Sequence, residues 1–313
     1  MTPEISAVVP THNRRDLLQL TLRTVLAQRD VDLEVIVVDD ASTDDTAAVV
    51  TGLGDPRIRL IRHDRPTGVS TARNHGAREA AGAWLAFCDD DDLWAPDKLA
   101  RQLAAAAQAG RAWSYGGAVR IDPALRIMGG TPPPPPERLT DRLPAWNLMP
   151  GGSSNVIVRA GMFSEAGRWD PALVNLADWD LWIRLSRLGL PACVPEPLVG
   201  YRIHASNASA NTVLVLAEAR LLDGRYGSRT DYGELHHYLA WVCLRSGRRR
   251  PAAGHFARAA AHGQVAGVAR SLAGLVRGRA RRWLGRPRPA ADRAWPEQAE
   301  AWLAPLREPS GSP

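Results

Sequence analysis

Hydrophobic and polar positions along the first hundred residues fall into two alternating rhythms. Four short runs rich in apolar, β-branched or aromatic residues, Ile5 to Val9, Glu34 to Val38, Arg57 to Ile61 and Trp84 to Phe87, read as strands. Between the first two, Leu17, Leu18, Thr21, Leu22, Val25 and Leu26 repeat at the i, i+3, i+4 spacing of an amphipathic helix. The next helix begins near Ser42 with Asp45 as a capping-box acid, and the third runs from about Ser70 to Ala81 with Gly82 suited to its C-terminus. Pro96 fits the first turn of a helix that carries Leu99, Leu103 and Ala106 and ends at Gly110. Strands alternating with helices imply right-handed crossovers and an α/β fold, a mostly parallel sheet flanked by helices with ligands outside the carboxyl ends of its strands. The polar residues after the strands are thereby brought together: Thr11, His12 and Asn13, then Asp39 and Asp40, then Asp89 to Asp92.

Thr131 and the prolines Pro132 to Pro136 break the pattern and read as an extended surface loop. Order returns from Asn147 to Tyr201, with Gly151-Gly152 as a flexible entry, a strand at Asn155 to Val158 and a helix from about Asp178 to Leu188. Beyond Asn211 the pattern is helical throughout. The expected organisation is one domain over 1–210, in halves 1–110 and 111–210, then a basic helical region over 211–290. A loosely ordered tail over 291–313 follows, in which Trp295 and Trp302 are the side chains able to dock.

The 313 residues suffice for a large core without covalent staples, and the three cysteines, Cys88, Cys193 and Cys243, have neither a disulfide framework's density nor zinc-site spacing. With no secretion signal and no apolar run long enough to span a bilayer, the expectation is a cytoplasmic protein. In that compartment the Asn207-Ala208-Ser209 glycosylation pattern is coincidental. The net charge of +6 is uneven: Leu235 to Ala291 holds twelve arginines and no acid, which leaves the rest of the chain at −6. Within it Val265, Val268, Leu272, Leu275, Val276, Trp283 and Leu284 recur at helical spacing, with Arg270, Arg277, Arg279, Arg281 and Arg282 on other faces. Such a helix suits an anionic membrane interface at the inner face of the cell membrane, or equally an appendage whose arginines are solvated. No base-reading module accompanies the charge, so no nucleic-acid partner is expected.

The most telling segment is WLAFCDDDDL, a strand that runs into four successive carboxylates, Asp89 to Asp92. Like charges about 4 Å apart repel by about 4 kcal/mol at an effective dielectric near 20, so the cluster needs water or a cation. Mg²⁺ and Mn²⁺ take hard oxygen ligands and complete their shells with substrate phosphates, so a strand followed by D-x-D suggests a site for a phosphorylated donor. A solvated acidic turn is the alternative for the motif alone.

AVVPTHNR, VIVVDDASTDDT, GVSTARNHGAREAAGAWLAFCDDDDLWAPDKL, LADWDLWIRL and YRIH resemble, in order and spacing, the bacterial family 2 glycosyltransferases of the GT-A (Rossmann-like) fold. The resemblance covers roughly residues 4 to 208. It implies a nucleotide-diphosphate sugar donor, Mg²⁺ or Mn²⁺ and an inverting displacement onto a cell-envelope glycan, a lipid-linked carrier or a small molecule. It places the metal at Asp89 and Asp91 and the catalytic base at Asp178; His204 in YRIH reads as a third ligand to the metal or diphosphate, or equally as a hydrogen-bonded structural histidine. The nucleotide sugar falls to Pro10, Thr11, Asn13, Asp40, Arg73, Asn74, Asp89 and Asp90, and the acceptor to Trp179 and Gly152. A carboxylate at Asp40 can accept from the imide N–H of uracil or thymine, which favours UDP- or dTDP-sugars and leaves GDP-sugars open. Asp39 reads as a turn residue, Asp92 as a cap, Asp90 as directed to solvent or structure, and Asp180 as the partner of Arg184 four residues on. Ala177 departs from the family, where an acid often precedes the base. The competing functions are a nucleotidyltransferase, for which Pro10 to Arg14 lacks the Gly-rich basic loop, and a catalytically silent sugar-nucleotide-binding or membrane-adaptor protein.

Overall fold

The computed structural model describes residues 2–204, 211–227, 229–283 and 294–307, without the side chains of 131 and 276–283. The chain divides into two units: Met1–Asp141, Leu148–Ile203 and Trp295–Pro313 form the first, Arg142–Asn147 and His204–Ala294 the second.

The first unit opens as the apolar rhythm predicts: β1 (Ile5–Thr11), α1 (Arg15–Leu26), β2 (Leu33–Asp39), α2 (Thr46–Gly52), β3 (Ile58–Arg62), α3 (Val69–Glu79) and β4 (Trp84–Phe87). Every residue of β1 and β4 is buried, because the central strands are covered on both faces. β1 pairs in parallel with β2 and β4, and β2 with β3, which brings Thr11, Asp39 and the acids after β4 to one rim. Two helix ends differ from the expected ones. α2 starts four residues after Ser42, because the Ser42 N–H donates to Asp39 Oδ1 at 2.8 Å and the Thr46 N–H to Asp44 at 3.0 Å, a turn closed before the helix begins. α3 ends at Glu79, short of Gly82, because the N–H groups of Ala81 and Gly82 are drawn to Glu34 and Ser6 on the neighbouring strands.

The second half of this unit holds β5 (Leu93–Trp94), α4 (Lys98–Ala109), β6 (Trp113–Ile121), β7 (Ile127–Thr131), α5 (Pro136–Arg142), a 3-10 turn (Gly152–Asn155), β8 (Ile157–Arg159), α6 (Ala160–Glu165), α7 (Ala177–Leu188) and β9 (Ala192–Arg202). The sheet runs β3-β2-β1-β4-β8-β6-β9-β5, with β7 on β6. β8 is antiparallel to β4 and β6, while β6 and β9 pair in parallel. The α/β class is as expected; β5, β6, β7 and β9 are strands that the apolar pattern does not announce.

The second unit is helical: α8 (Thr212–Tyr226), α9 (Tyr232–Arg245), α10 (Arg249–Ala261) and α11 (Val265–Trp283). Ala240, Phe256, Ala259 and Val268 form its small core. The Asn207-Ala208-Ser209 pattern, Leu284 and the side chains of Val276, Arg277, Arg279, Arg281, Arg282 and Trp283 lie outside the described residues. Among the described residues no helix is long and apolar enough to cross a membrane.

The end of the chain differs from the expected loose tail. α12 (Ala294–Glu297) and α13 (Glu300–Arg307) pack on the first unit, where Ala299 and Leu303 are buried with Leu93, Val119, Ile121 and Leu125. Glycines make their seats: a Cβ on Gly117 would lie 2.3 Å from the Trp295 ring, and one on Gly200 3.2 Å from the Trp302 ring.

Candidate active site

The acidic loop leaves β4 at the carboxyl rim, and each of its four carboxylates has different partners. Asp90 turns inward: Oδ2 accepts from Thr11 Oγ1 at 2.7 Å, and its carbonyl accepts from Thr21 Oγ1 at 3.0 Å. Burial, then the charge of Asp91, push its pKa up to about 7. Asp92 is fully buried, and its two oxygens accept from Ser154 Oγ at 2.6 Å and the Arg202 N–H at 3.1 Å. Asp89 accepts from Ser153 Oγ, 2.9 and 2.8 Å from its two oxygens, and pairs with the buried guanidinium of Arg73. Arg73 also donates to Ser153 Oγ at 2.8 Å and lies 4.5 Å over the Trp169 ring. Asp91 lies 3.7 Å from Arg14.

Oxygens of Asp89, Asp91 and Asp92 all fall within 4.8 Å of one another. This all-oxygen set fits a hard divalent cation such as Mg²⁺ or Mn²⁺. Because Asp92 is buried and satisfied on both oxygens, Asp89 and Asp91, whose side chains keep 29% and 14% exposure, are the pair suited to hold it. His204, the expected third ligand, opens the second unit.

The turn Gly152–Asn155 joins the acidic loop to Asp178. Ser153 and Ser154 bond to Asp89 and Asp92, while Gly152, at φ +56°, leaves room for the Asp178 carboxylate: a Cβ there would sit 3.4 Å from Asp178 Oδ2. Asp178 stands in the first turn of α7 and accepts from the Trp179 N–H at 2.7 Å. Burial pushes its pKa up to about 6, against the Trp179 N–H and the nearby charge of Arg73. Asp180 is fully buried and pairs with Arg184, as its spacing predicts.

On the other side of Thr11, Asp40 is enclosed by donors. Its Oδ1 accepts from Thr67 N–H and Oγ1, both at 2.8 Å, and from His63 Nδ1 at 2.7 Å, while Oδ2 takes the Gly68 N–H at 2.8 Å. Burial raises its pKa, but these bonds outweigh it and hold the carboxyl below its ordinary value. Asp39 is the turn residue expected, capping Ser42 and pairing with Arg62 at 3.0 Å.

Several expected contacts take a different form. Asn13 Oδ1 accepts from the Thr43 N–H at 2.8 Å and braces the loop before α2, and Pro10 lies within buried β1. Both ends of the Asn74 amide are engaged by the Trp169 backbone, at 2.7 and 3.0 Å, so Asn74 fixes the loop under Arg73. Trp179 is 2% exposed and belongs to the buried face of α7, which removes it as a platform for a sugar. Trp146 falls in the second unit, beside Tyr238. Ser153, Ser154 and Arg202 also hold the site, outside the candidate residues that the motifs name. Arg202, 5% exposed, donates to the Asp91 carbonyl, to Leu17 O at 2.8 Å and to Thr21 Oγ1 at 2.9 Å. Ser-Ser-Asn directly after Gly-Gly, and the Arg of YRIH, are the signals that point to them.

The family model for glycosyl transferase family 2 matches residues 6–167. The succinoglycan biosynthesis protein ExoO of Rhizobium meliloti (strain 1021) is 33% identical over 231 residues. That match takes in 68% of this chain and 64% of ExoO, so it spans less than two thirds of that relative's length. The UDP-Glc:alpha-D-GlcNAc-diphosphoundecaprenol beta-1,3-glucosyltransferase WfaP of Escherichia coli is 27% identical over 208 residues, 66% of this chain and 80% of WfaP. Among solved structures, S. aureus TarS 1-349 in complex with UDP-GlcNAc shares the fold at a TM-score of 0.60 and 15% identity, covering 77% of this chain and 72% of that one.

Proposed function

We infer what this chain does from two observations: it belongs to glycosyl transferase family 2, and three acids of the loop after β4 offer oxygens within 4.8 Å of one another. The reaction is transfer of a sugar from a UDP- or dTDP-sugar, with inversion, to a cell-envelope glycan or its lipid-linked precursor. The observation that carries this reading is the turn Gly152–Asn155, which bonds to Asp89 on one side and abuts Asp178 on the other. In this reading the leaving diphosphate lies at the acids and Asp178 is the base that activates the acceptor. The acceptor class and the donor nucleotide are supported by ExoO, WfaP and TarS, whose names carry succinoglycan, a diphosphoundecaprenol acceptor and a UDP-sugar.

Asp178 takes the proton of the acceptor hydroxyl as that oxygen bonds to the anomeric carbon and the bond from this carbon to the diphosphate breaks. Its raised pKa keeps it a competent base near neutrality. Asp89 and Asp91 would hold Mg²⁺ or Mn²⁺, which neutralises charge on the departing diphosphate when bound. Arg73 adds a fixed positive charge between Asp89 and Asp178, and Thr11, Asp40 and the turn before α3 form the nucleotide side. A thermal-shift screen of UDP-, dTDP- and GDP-sugars with and without Mn²⁺ tests the reading, since a ligand that binds only the native state raises its stability. UDP- or dTDP-sugars should stabilise the protein only with the metal; no response to any of the three refutes it.

The second unit is the part proposed to meet an anionic membrane surface. Val265 and Leu272 on α11 are 62% and 47% exposed within the stretch that holds twelve arginines and no acid. Co-sedimentation of the full chain with phosphatidylglycerol vesicles, lost when Val265 and Leu272 become Asp, is the expected outcome.

A further inference from the structure

Behind Asp40 stand two histidines that the reaction above does not use. His63 Nδ1 meets Asp40 Oδ1 at 2.7 Å, and His63 Nε2 meets His75 Nδ1 at 2.7 Å. The two rings are nearly coplanar, 12° apart with centroids 5.0 Å from each other, the disposition of an in-plane hydrogen bond. The carboxylate fixes the direction of the chain. An ionised Asp40 only accepts, so His63 Nδ1 carries the hydrogen, which leaves Nε2 of a neutral His63 as the acceptor for a hydrogen on His75 Nδ1. Thr67 Oγ1 lies 3.1 Å from the same His63 nitrogen, so carboxylate, turn and ring lock one another.

We propose that His63, backed by His75, is a positioning residue for the donor nucleotide: it fixes the Asp40 carboxylate and the turn at Thr67 and Gly68 against which the base is read. This rests on the nucleotide-sugar reading above. The parts it ties together are the residues after β2 and β3 and those before α3, all at the carboxyl ends of parallel strands where ligands of such sheets bind. Thr67 and Gly68 are exposed, and none of the atoms in the chain belongs to the apolar core, so a purely structural brace at this place has little to hold. The pair shapes where the nucleotide sits and touches none of the groups near Asp178, so it acts on donor affinity and leaves the chemical step alone.

The test compares donor KM, kcat and the UDP dissociation constant of the full-length wild type with three variants. His63→Ala should raise donor KM and the UDP dissociation constant roughly tenfold with kcat within about twofold, the signature of lost uniform binding. His63→Gln, which keeps an N–H for Asp40, should recover most of that loss. His75→Phe keeps a ring but no donor nitrogen, and should shift KM in the same direction by roughly threefold. Unchanged donor KM in His63→Ala, a fall in kcat at constant KM, or no recovery by His63→Gln overturns the inference. If the wild type binds no UDP, dTDP or GDP, the nucleotide-sugar reading fails and takes this one with it; a wild type that binds and a His63→Ala that binds equally well overturns this one alone.

Discussion

Asp178→Asn should make the protein more stable and nearly inactive at once. The carboxyl is pushed from an ordinary 3.8 up to about 6 by burial, so its ionised form is disfavoured in the folded state. The folded protein therefore holds this proton more tightly than the unfolded chain. Stability from the group is present below about pH 4 and is lost as pH rises through about 6. A rise of this size is worth at most about 3 kcal/mol at pH 7.5. Asn carries no charge at any pH and its Oδ1 still accepts the Trp179 N–H that Asp178 takes at 2.7 Å, so the substitution relieves the penalty without opening a new one. At about 2–4 °C per kcal/mol for a chain of this size, the melting temperature should rise by several degrees at pH 7.5 and by almost nothing at pH 4. Transfer should fall by about 10²- to 10⁴-fold with donor binding intact, and wild-type kcat should drop as pH falls through about 6. Thermal unfolding at both pH values and transfer at saturating donor check both halves. A variant less stable than wild type at pH 7.5, or one that transfers within threefold of it, refutes the assignment.

Asp91→Ala should abolish the metal-dependent part of donor binding, read as loss of the Mn²⁺-dependent thermal shift with a UDP-sugar. Ser153→Ala removes the hydroxyl that bonds both oxygens of Asp89, and should raise the Mn²⁺ concentration for half-maximal activity by about 10-fold or more, while the melting temperature changes little. Leu303→Ala empties a fully buried seat on the first unit and should cost about 2–4 kcal/mol in urea unfolding. A loosely ordered tail would show no change.

The first hundred residues are legible in the sequence because their order is local. β1, β2 and β4 are continuous apolar runs, as strands buried on both faces must be, and their carboxyl ends are marked by the polar residues that follow. The second half hides its strands behind residues that argue against them. β6 carries Gly116-Gly117 at its middle, and β9 carries Pro195 and Pro197, which within a single window read as breaks. Both make sense only in three dimensions. Trp295 from the far end of the chain covers Gly117, Leu198 covers Gly116, and the ladder between β6 and β9 shifts register beside these glycines, which accommodates prolines without an N–H. The roles of Asn74 and Trp179 escape the sequence for the same reason, since a motif fixes where a residue stands in the chain and not which way its side chain turns.

Four consecutive aspartates survive in one loop because they do not share one environment. Alternate residues turn inward, Asp90 to the Thr11 hydroxyl and Asp92 to Ser154 and the Arg202 N–H, and burial raises the pKa of both. Repulsion within the loop is thereby relieved by the donors that meet the even positions. Asp89 and Asp91 lie beside guanidinium groups, those of Arg73 and Arg14. Those guanidiniums stay charged at every relevant pH and offset the negative charge of the pair. Arg202 completes the division by holding the Asp91 carbonyl and the backbone of α1 from the end of β9, so the loop is gripped from β1, α1, α3, the Gly152–Asn155 turn and β9. The loop is a turn closed by the Asp92 N–H on the Asp89 carbonyl at 3.1 Å, in which Asp90 is the structural anchor between the two acids proposed to hold the cation.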